Sequence, residues 1–166
     1  MFDFKNVLQK IRVFENRILN IENKNAIHTY LSATQSITTD SNQKQIIPID
    51  TVLAKKGTDF DLQDNAIVIN KENIKIKVTA KINCDRKEER ESRVYGLIIQ
   101  KNVYSLTYQN LQILSNENYQ EIICEAMFNA TAGDKIYLDL RSVASANITT
   151  KINGGRCMTS LIVEEI

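Results

Sequence analysis

The sequence predicts a mainly β protein in two parts: an N-terminal α-helical coiled coil followed by an antiparallel β jelly-roll (β-sandwich) head. Three observations carry this reading. An apolar stripe at alternating three- and four-residue spacing opens the chain. After residue 30 the hydrophobic period changes to two, and short clusters of turn-forming residues then separate segments of strand length.

The stripe runs Phe4, Val7, Ile11, Phe14, Ile18 and Ile21, and continues in phase through Asn25 and His28. A seam this narrow needs other helices to cover it. With Phe4, Ile11, Ile18 and Asn25 at a and the others at d, Lys10 and Arg17 fall at g and Glu15 and Glu22 at e. Parallel chains then pair Lys10 with Glu15 and Arg17 with Glu22, each pair contributing about 0.3 kcal/mol. Isoleucine at both a and d, in Ile18 and Ile21, favours trimers over dimers, and a buried Asn25 would set the register at some cost in stability. An amphipathic helix packed back on the head is the alternative. Residues 1–29 therefore read as a trimeric stem, 30–45 as a linker and 46–166 as the head. His28, the single histidine, reads as a partly solvated axial residue at the stem–head junction rather than as a proton switch.

In the head, Ile74, Ile76, Val78, Ala80 and Ile82 alternate with Lys75, Lys77, Thr79 and Lys81, the pattern of a half-buried strand. Similar segments lie at 46–52, 66–69, 94–101, 104–114, 121–128, 135–141 and 159–165, with a first strand near 30–36. Turn clusters at 63–65, 71–73 and 132–134 separate them, and Pro48 suits an edge or the start of a strand. So many short strands predict a sandwich, with a barrel as the alternative.

Composition narrows the function. The 166 residues carry 21 basic and 20 acidic side chains, so bulk charge draws in no nucleic acid. No stretch approaches membrane-spanning length, and the N-terminus lacks a basic region followed by an apolar run. Cys84, Cys124 and Cys157 are odd in number and share no metal-ligand spacing, so they read as reduced, structural thiols. With its histidine in the stem, the chain has no means to assemble a Ser-His-Asp or Cys-His centre in the head, and it has no Trp to platform a sugar. No catalytic residue and no cofactor are expected. Asp59, Asp61 and Asp64, with Asn65, make an oxygen-rich stretch that could hold calcium, but they alternate with Phe60 and Leu62 as a solvated strand face does. Two polar loops are candidates for receptor contact: the charge run 84–93, with Arg86, Arg90 and Arg93, and the stretch 142–156, with Asn147, Thr149, Asn153 and Arg156.

Three segments carry a resemblance to a known superfamily. Thr58-Asp59-Phe60-Asp61-Leu62 followed by Ala66-Ile67-Val68-Ile69, the turn Ala132-Gly133-Asp134 leading into Lys135-Ile136-Tyr137-Leu138, and the closing Thr159–Ile166 strand stand in order over residues 45–166. The head thus resembles the jelly-roll trimers of the tumour-necrosis-factor and complement globular-head superfamily. No collagen repeat precedes it, and Asn73-Ile74-Lys75-Ile76-Lys77 stands where the animal members carry an aromatic strand. The resemblance therefore points to the versions in bacteriophage head-fibre, tail and baseplate proteins. It implies a non-enzymatic, homotrimeric virion protein assembled in the bacterial cytoplasm. Such a protein would contact other virion proteins through the stem, and its head would decorate the particle or bind a glycan or protein on the host surface. The other readings are a lectin-like surface module without a virion role, and a glycan-cleaving spike.

Replacing Ile18 and Ile21 together with Asn is expected to collapse the stem and dissociate the oligomer while the head stays folded. Light scattering and far-ultraviolet circular dichroism on the same sample check both halves of that expectation.

Overall fold

The long run of alternating isoleucine and lysine at 74–82 forms the spine of a two-layered β-sandwich. The computed structural model describes residues 24–39, 44–85, 93–113, 119–142, 148–156 and 158–166, and every regular element among them is a strand. These are β1 (Ala26–Tyr30), β2 (Gln35–Thr39), β3 (Lys44–Ile46), β4 (Thr51–Lys56), β5 (Phe60–Gln63), β6 (Ala66–Ile69), β7 (Ile74–Asp85), β8 (Arg93–Lys101), β9 (Tyr104–Ile113), β10 (Tyr119–Ala130), β11 (Lys135–Ser142), β12 (Ile148–Ile152) and β13 (Ser160–Glu165). The stem residues Phe4, Val7, Lys10, Ile11, Phe14, Glu15, Arg17, Ile18, Ile21 and Glu22 lie outside the described residues, as do Arg86, Arg90, Asn147 and Cys157.

All pairings are antiparallel. In the first sheet β7 pairs along its whole length with β10, from Ile74↔Ala130 to Asp85↔Tyr119. Its other edge is shared by β13, opposite Ile76 to Lys81, and β12, opposite Cys84 and Asp85. The sheet continues from β13 through β1 to β4, and from β12 to β2. The second sheet runs β5-β6-β11-β8-β9, with β3 beside β6 on the same edge of β11.

Between the sheets, Ile74, Ile76, Val78, Ala80, Ile82 and Cys84 of β7 meet Phe60, Ile67, Ile69, Ile136, Leu138 and Leu140 in one buried cluster. Each of the larger aliphatic side chains contributes roughly 1.5–3 kcal/mol by leaving water. Cys84 and Cys124 are buried among these residues, and neither is in a disulfide. Burial pushes the Cys124 thiol up to about 12, so it stays protonated at neutral pH and packs as a small apolar group.

Two expectations about boundaries are corrected. Residues 26–30 are extended as β1, paired on one side with β13 and on the other with β4, so His28 is a strand residue and not part of a helical seam. The head therefore begins at β1 rather than at 46, and the presumed linker supplies β2 and the start of β3. The segment expected as one strand at 46–52 is two. The Ile49 N–H bonds to the Ile47 carbonyl at 2.8 Å, closing a tight turn around Pro48. That turn carries the chain from β3 in the second sheet to β4 in the first. Proline suits this corner because its φ is preset and it has no N–H to waste.

A polar knot holds the start of the head. The Asn25 side-chain amide donates to Asp59 Oδ2 at 2.6 Å and Glu165 Oε2 at 3.3 Å, and the Glu165 N–H donates to the Asn25 carbonyl at 2.9 Å. Lys71 Nζ reaches Glu165 at 2.7 Å and Asp59 at 3.3 Å. Gly57, at φ +78°, lies so close that a Cβ there would sit 1.4 Å from Asn25 Oδ1. The knot thus ties Asn25, just before β1, to the last strand and to the β4–β5 turn.

Lys71 is the main reason the Glu165 carboxyl lies below its ordinary range, and Glu165 in turn raises Lys71. A depressed carboxylate contributes stability above its unfolded pKa and loses it as pH falls through the folded value; a raised lysine loses its share only as pH climbs above about 10.5. Glu165→Gln is therefore expected to lower stability at pH 7 by about 1 kcal/mol and to flatten the loss between about pH 5 and pH 3, as read by urea midpoints across that range.

Candidate functional site

Strand direction gives the head two distinct ends. At one end lie Asn25, the C-terminal Ile166 and the turns 57–59, 70–73, 102–103 and 131–134. Their proximity follows from the bonds from Glu165 N to Asn25 O, Ile166 N to Lys75 O, Gly133 N to Ile69 O and Asn102 N to Lys135 O. At the other end lie Asp85 and Tyr119, paired with each other, and Arg93, paired with Ile113. The 12 residues of β7 separate the two ends by roughly 40 Å at about 3.3 Å per residue.

The described candidate contact residues, Arg93, Thr149, Asn153 and Arg156, belong to the far end. Thr149 lies on β12 opposite Thr38, and β12 meets β7 at Asp85. Asp85 with Arg93, and Ser142 with Ile148, bracket the two polar loops, and all four are far-end positions. The structure therefore brings the described borders of the segments 84–93 and 142–156 to one end of the molecule.

One part of that end is a built platform. Asn153 is a fastener rather than a free contact residue: its side-chain amide donates to Asn83 Oδ1 and its N–H to the Asn83 carbonyl, both at 2.8 Å. The Gly154 N–H donates to Thr34 Oγ1 at 3.2 Å, and the Gly155 N–H to the Leu31 carbonyl at 2.7 Å. A Cβ on Gly154 would stand 2.3 Å from the Ala33 carbonyl carbon, so only glycine lets the two loops touch. The braced loop presents Arg156 and Met158 to solvent.

The oxygen-rich stretch is used internally. Asp59 belongs to the knot, and Asp61 is held low mainly by hydrogen bonds from Lys55 and Asn70. Asp64 and Asn65 have φ of 49° and 63°, forming the two-residue β5–β6 turn that Asn and Asp tolerate. Among the described residues no three His, Cys, Asp or Glu side chains converge as a metal site would need.

Two features escaped sequence reading. At the Asn25 end, the β8–β9 turn holds Val103 and Tyr104 out at 76% and 73% exposure. Asn102, at φ 52°, donates to Asp134 Oδ1 and accepts from the Lys135 N–H, both at 2.8 Å. Burial alone would raise the Asp134 carboxyl, but bonds from Lys101, the Thr131 N–H and Asn102 outweigh it and leave its pKa lowered. The second feature is a groove of about 290 Å³ on the outer face of the first sheet, lined by Ala26, Ile27, His28, Ala54, Lys55, Lys56, Ile162 and Glu164. His28 projects there, between Ile162 and Ala54 in the strand register, and partial burial lowers its pKa, so the imidazole is neutral at pH 7. Strand-to-strand register, invisible in one segment, makes this groove.

No family model and no curated protein sequence matches the chain. Solved structures share its architecture at low identity. Murine APRIL at pH 8.0 aligns over 86% of this chain and 99% of its own, with a TM-score of 0.62 and 10% identity. Eiger TNF from S. frugiperda covers 86% and 91%, with a TM-score of 0.58 and 11% identity. The PRD1 vertex protein P5 covers 86% and 96%, with a TM-score of 0.59 and 12% identity. The chain thus has the TNF-like jelly-roll fold, found in cytokine-type heads and in a phage vertex protein alike.

Proposed function

We propose that this chain is a non-enzymatic structural protein of a phage particle, a homotrimeric spike whose head decorates the particle or binds the host surface. The observation that carries this reading is the polarity of the head. The chain leaves its heptad-patterned N-terminal segment at one end, through the Asn25 knot, while the described borders of the nominated contact segments lie at the opposite end. A protein built to stand on a particle and present loops outward needs this arrangement; an isolated binding module does not. The likeness to a vertex protein's fold adds support of a coarser kind. Three copies would also multiply weak contacts made by loops of modest size.

An antibody raised against the head is expected to label purified particles in electron micrographs, and the intact protein to bind host cells. Arg156→Ala combined with Met158→Ala is expected to weaken that binding about tenfold or more without changing the protein's mass in solution. Saturable glycan binding by a protein absent from particles would instead make it a lectin-like module. Release of shorter glycan chains would make it a glycan-cleaving spike.

A further inference from the structure

We propose that Asn153 and Gly154 form a latent covalent modification site, an asparagine–glycine pair that the far-end loop contacts hold unreactive and that converts to aspartate and isoaspartate when those contacts open.

The chemistry is local. Asn-Gly occurs once in the chain, at 153–154. In such a pair the glycine N–H gives up its proton and the nitrogen attacks the asparagine Cγ. The side-chain amide leaves as ammonia, and a cyclic succinimide remains. Water then opens either carbonyl of the ring, giving aspartate or isoaspartate, so one water is consumed for each ammonia released. Glycine favours the attack because no side chain shields its nitrogen and its backbone turns freely.

Packing demands the residue that stability of the asparagine would avoid. A Cβ at position 154 would stand 2.3 Å from the Ala33 carbonyl carbon and 2.6 Å from the Thr34 nitrogen. The loop after β12 and the loop after β1 therefore meet only across a glycine. The Gly155 N–H extends the contact to the Leu31 carbonyl at 2.7 Å. The close approach that joins the two loops thus places a labile pair at their junction.

The same contacts restrain both reacting groups. The nucleophile is the Gly154 nitrogen, and its N–H points at Thr34 Oγ1, 3.2 Å away. The electrophile belongs to the Asn153 amide, which donates to Asn83 Oδ1 at 2.8 Å, while the Asn153 N–H donates to the Asn83 carbonyl. Asn83 is held in turn, its N–H donating to the hydroxyl of buried Thr159 at 3.2 Å. Swinging Cγ onto the Gly154 nitrogen breaks the bond to Asn83, and turning that nitrogen toward Cγ breaks the bond to Thr34. Reaction therefore waits for local opening, and its rate scales with the open fraction.

The two products differ in consequence. Asn83 can turn its side-chain amide to donate to an aspartate at 153. Isoaspartate instead routes the main chain through the former side-chain carbon, which shifts Gly154 off Ala33 and Thr34 and undoes the brace. Arg156 and Met158 sit exposed on that loop. The inference stands whatever those two residues contact.

The test follows the intact protein at mildly alkaline pH. Samples are digested with trypsin, and mass spectrometry with chromatography resolves the 152–156 peptide into asparagine, aspartate and isoaspartate forms. The same peptide made synthetically gives the unrestrained rate, and the folded protein is expected to convert at least about tenfold more slowly. Thr34→Val removes the acceptor for the Gly154 N–H and is expected to speed conversion about threefold with unchanged circular dichroism, whereas Thr34→Ser keeps the parental rate. Brief trypsin treatment of the native protein is expected to cut after Arg156 at least about tenfold faster in the isoaspartate fraction than in the parent or in Asn153→Asp. A folded parent that converts at the peptide rate overturns the inference, as does a folded Thr34→Val chain no faster than its parent. If Thr34→Val does not fold, the comparison of parent with peptide decides. An isoaspartate fraction cut no faster than the parent overturns the loss of the brace.

Discussion

Twelve consecutive residues of β7 pair with β10 along one edge, and eight of them pair with β13 and β12 along the other, while every second side chain, from Ile74 to Cys84, is buried against the second sheet. The rest of the head depends on this strand. It is long enough to hold the Asn25 end of the head apart from the far end, and its edges organise the strands that carry both. A one-residue slip of its register would turn the lysines inward and the isoleucines outward, a change no neighbouring contact could absorb. The alternation of one segment therefore fixes which side chains of the sheet face inward and which face outward, including those that line the groove beside His28.

Around this spine, polar residues do the positioning. Asn25, Asp59, Lys71 and Glu165 join parts of the chain that are up to 140 residues apart. Asp134 gathers Lys101, Asn102 and the Thr131 N–H under the β8–β9 turn. Asn83 and Asn153 fasten the loop that interrupts the line from β12 to β13. Each cluster sits where a chain end or a loop must be held against the sandwich rather than left to solvent. Hydrogen bonds serve this purpose better than apolar contact because they fix direction as well as distance.

The head's strands were legible because period-two alternation is a local signal: Ile74 to Ile82, Ala66–Ile69 and the Gly133-Asp134 turn each declare themselves within a few residues. Boundaries were less legible where one residue fits two periods. His28 continues the three-and-four spacing of the N-terminal stripe, yet it also alternates with Ile27 and Thr29, which are buried in the head. Pairing with β13 and β4 decides in favour of the strand, and no window around residue 28 contains that information. Pro48 marked a break without saying that the chain changes sheets there. Asn153, chosen as a contact residue for its chemistry and loop position, proved to be held by Asn83, a partner 70 residues earlier.

By itself the sequence determined the class of structure: a heptad-patterned start, a mainly β remainder and buried isoleucine faces. These properties follow from composition and short-range periodicity, which the chain carries in any conformation. Tertiary structure alone decided which loops share an end, which aspartates are consumed in ion pairs, and that a groove exists between β1, β4 and β13. Those outcomes depend on strand order and register, set by the simultaneous burial of two sheet faces. That burial is a property of the whole sandwich, and no single segment of the chain encodes it.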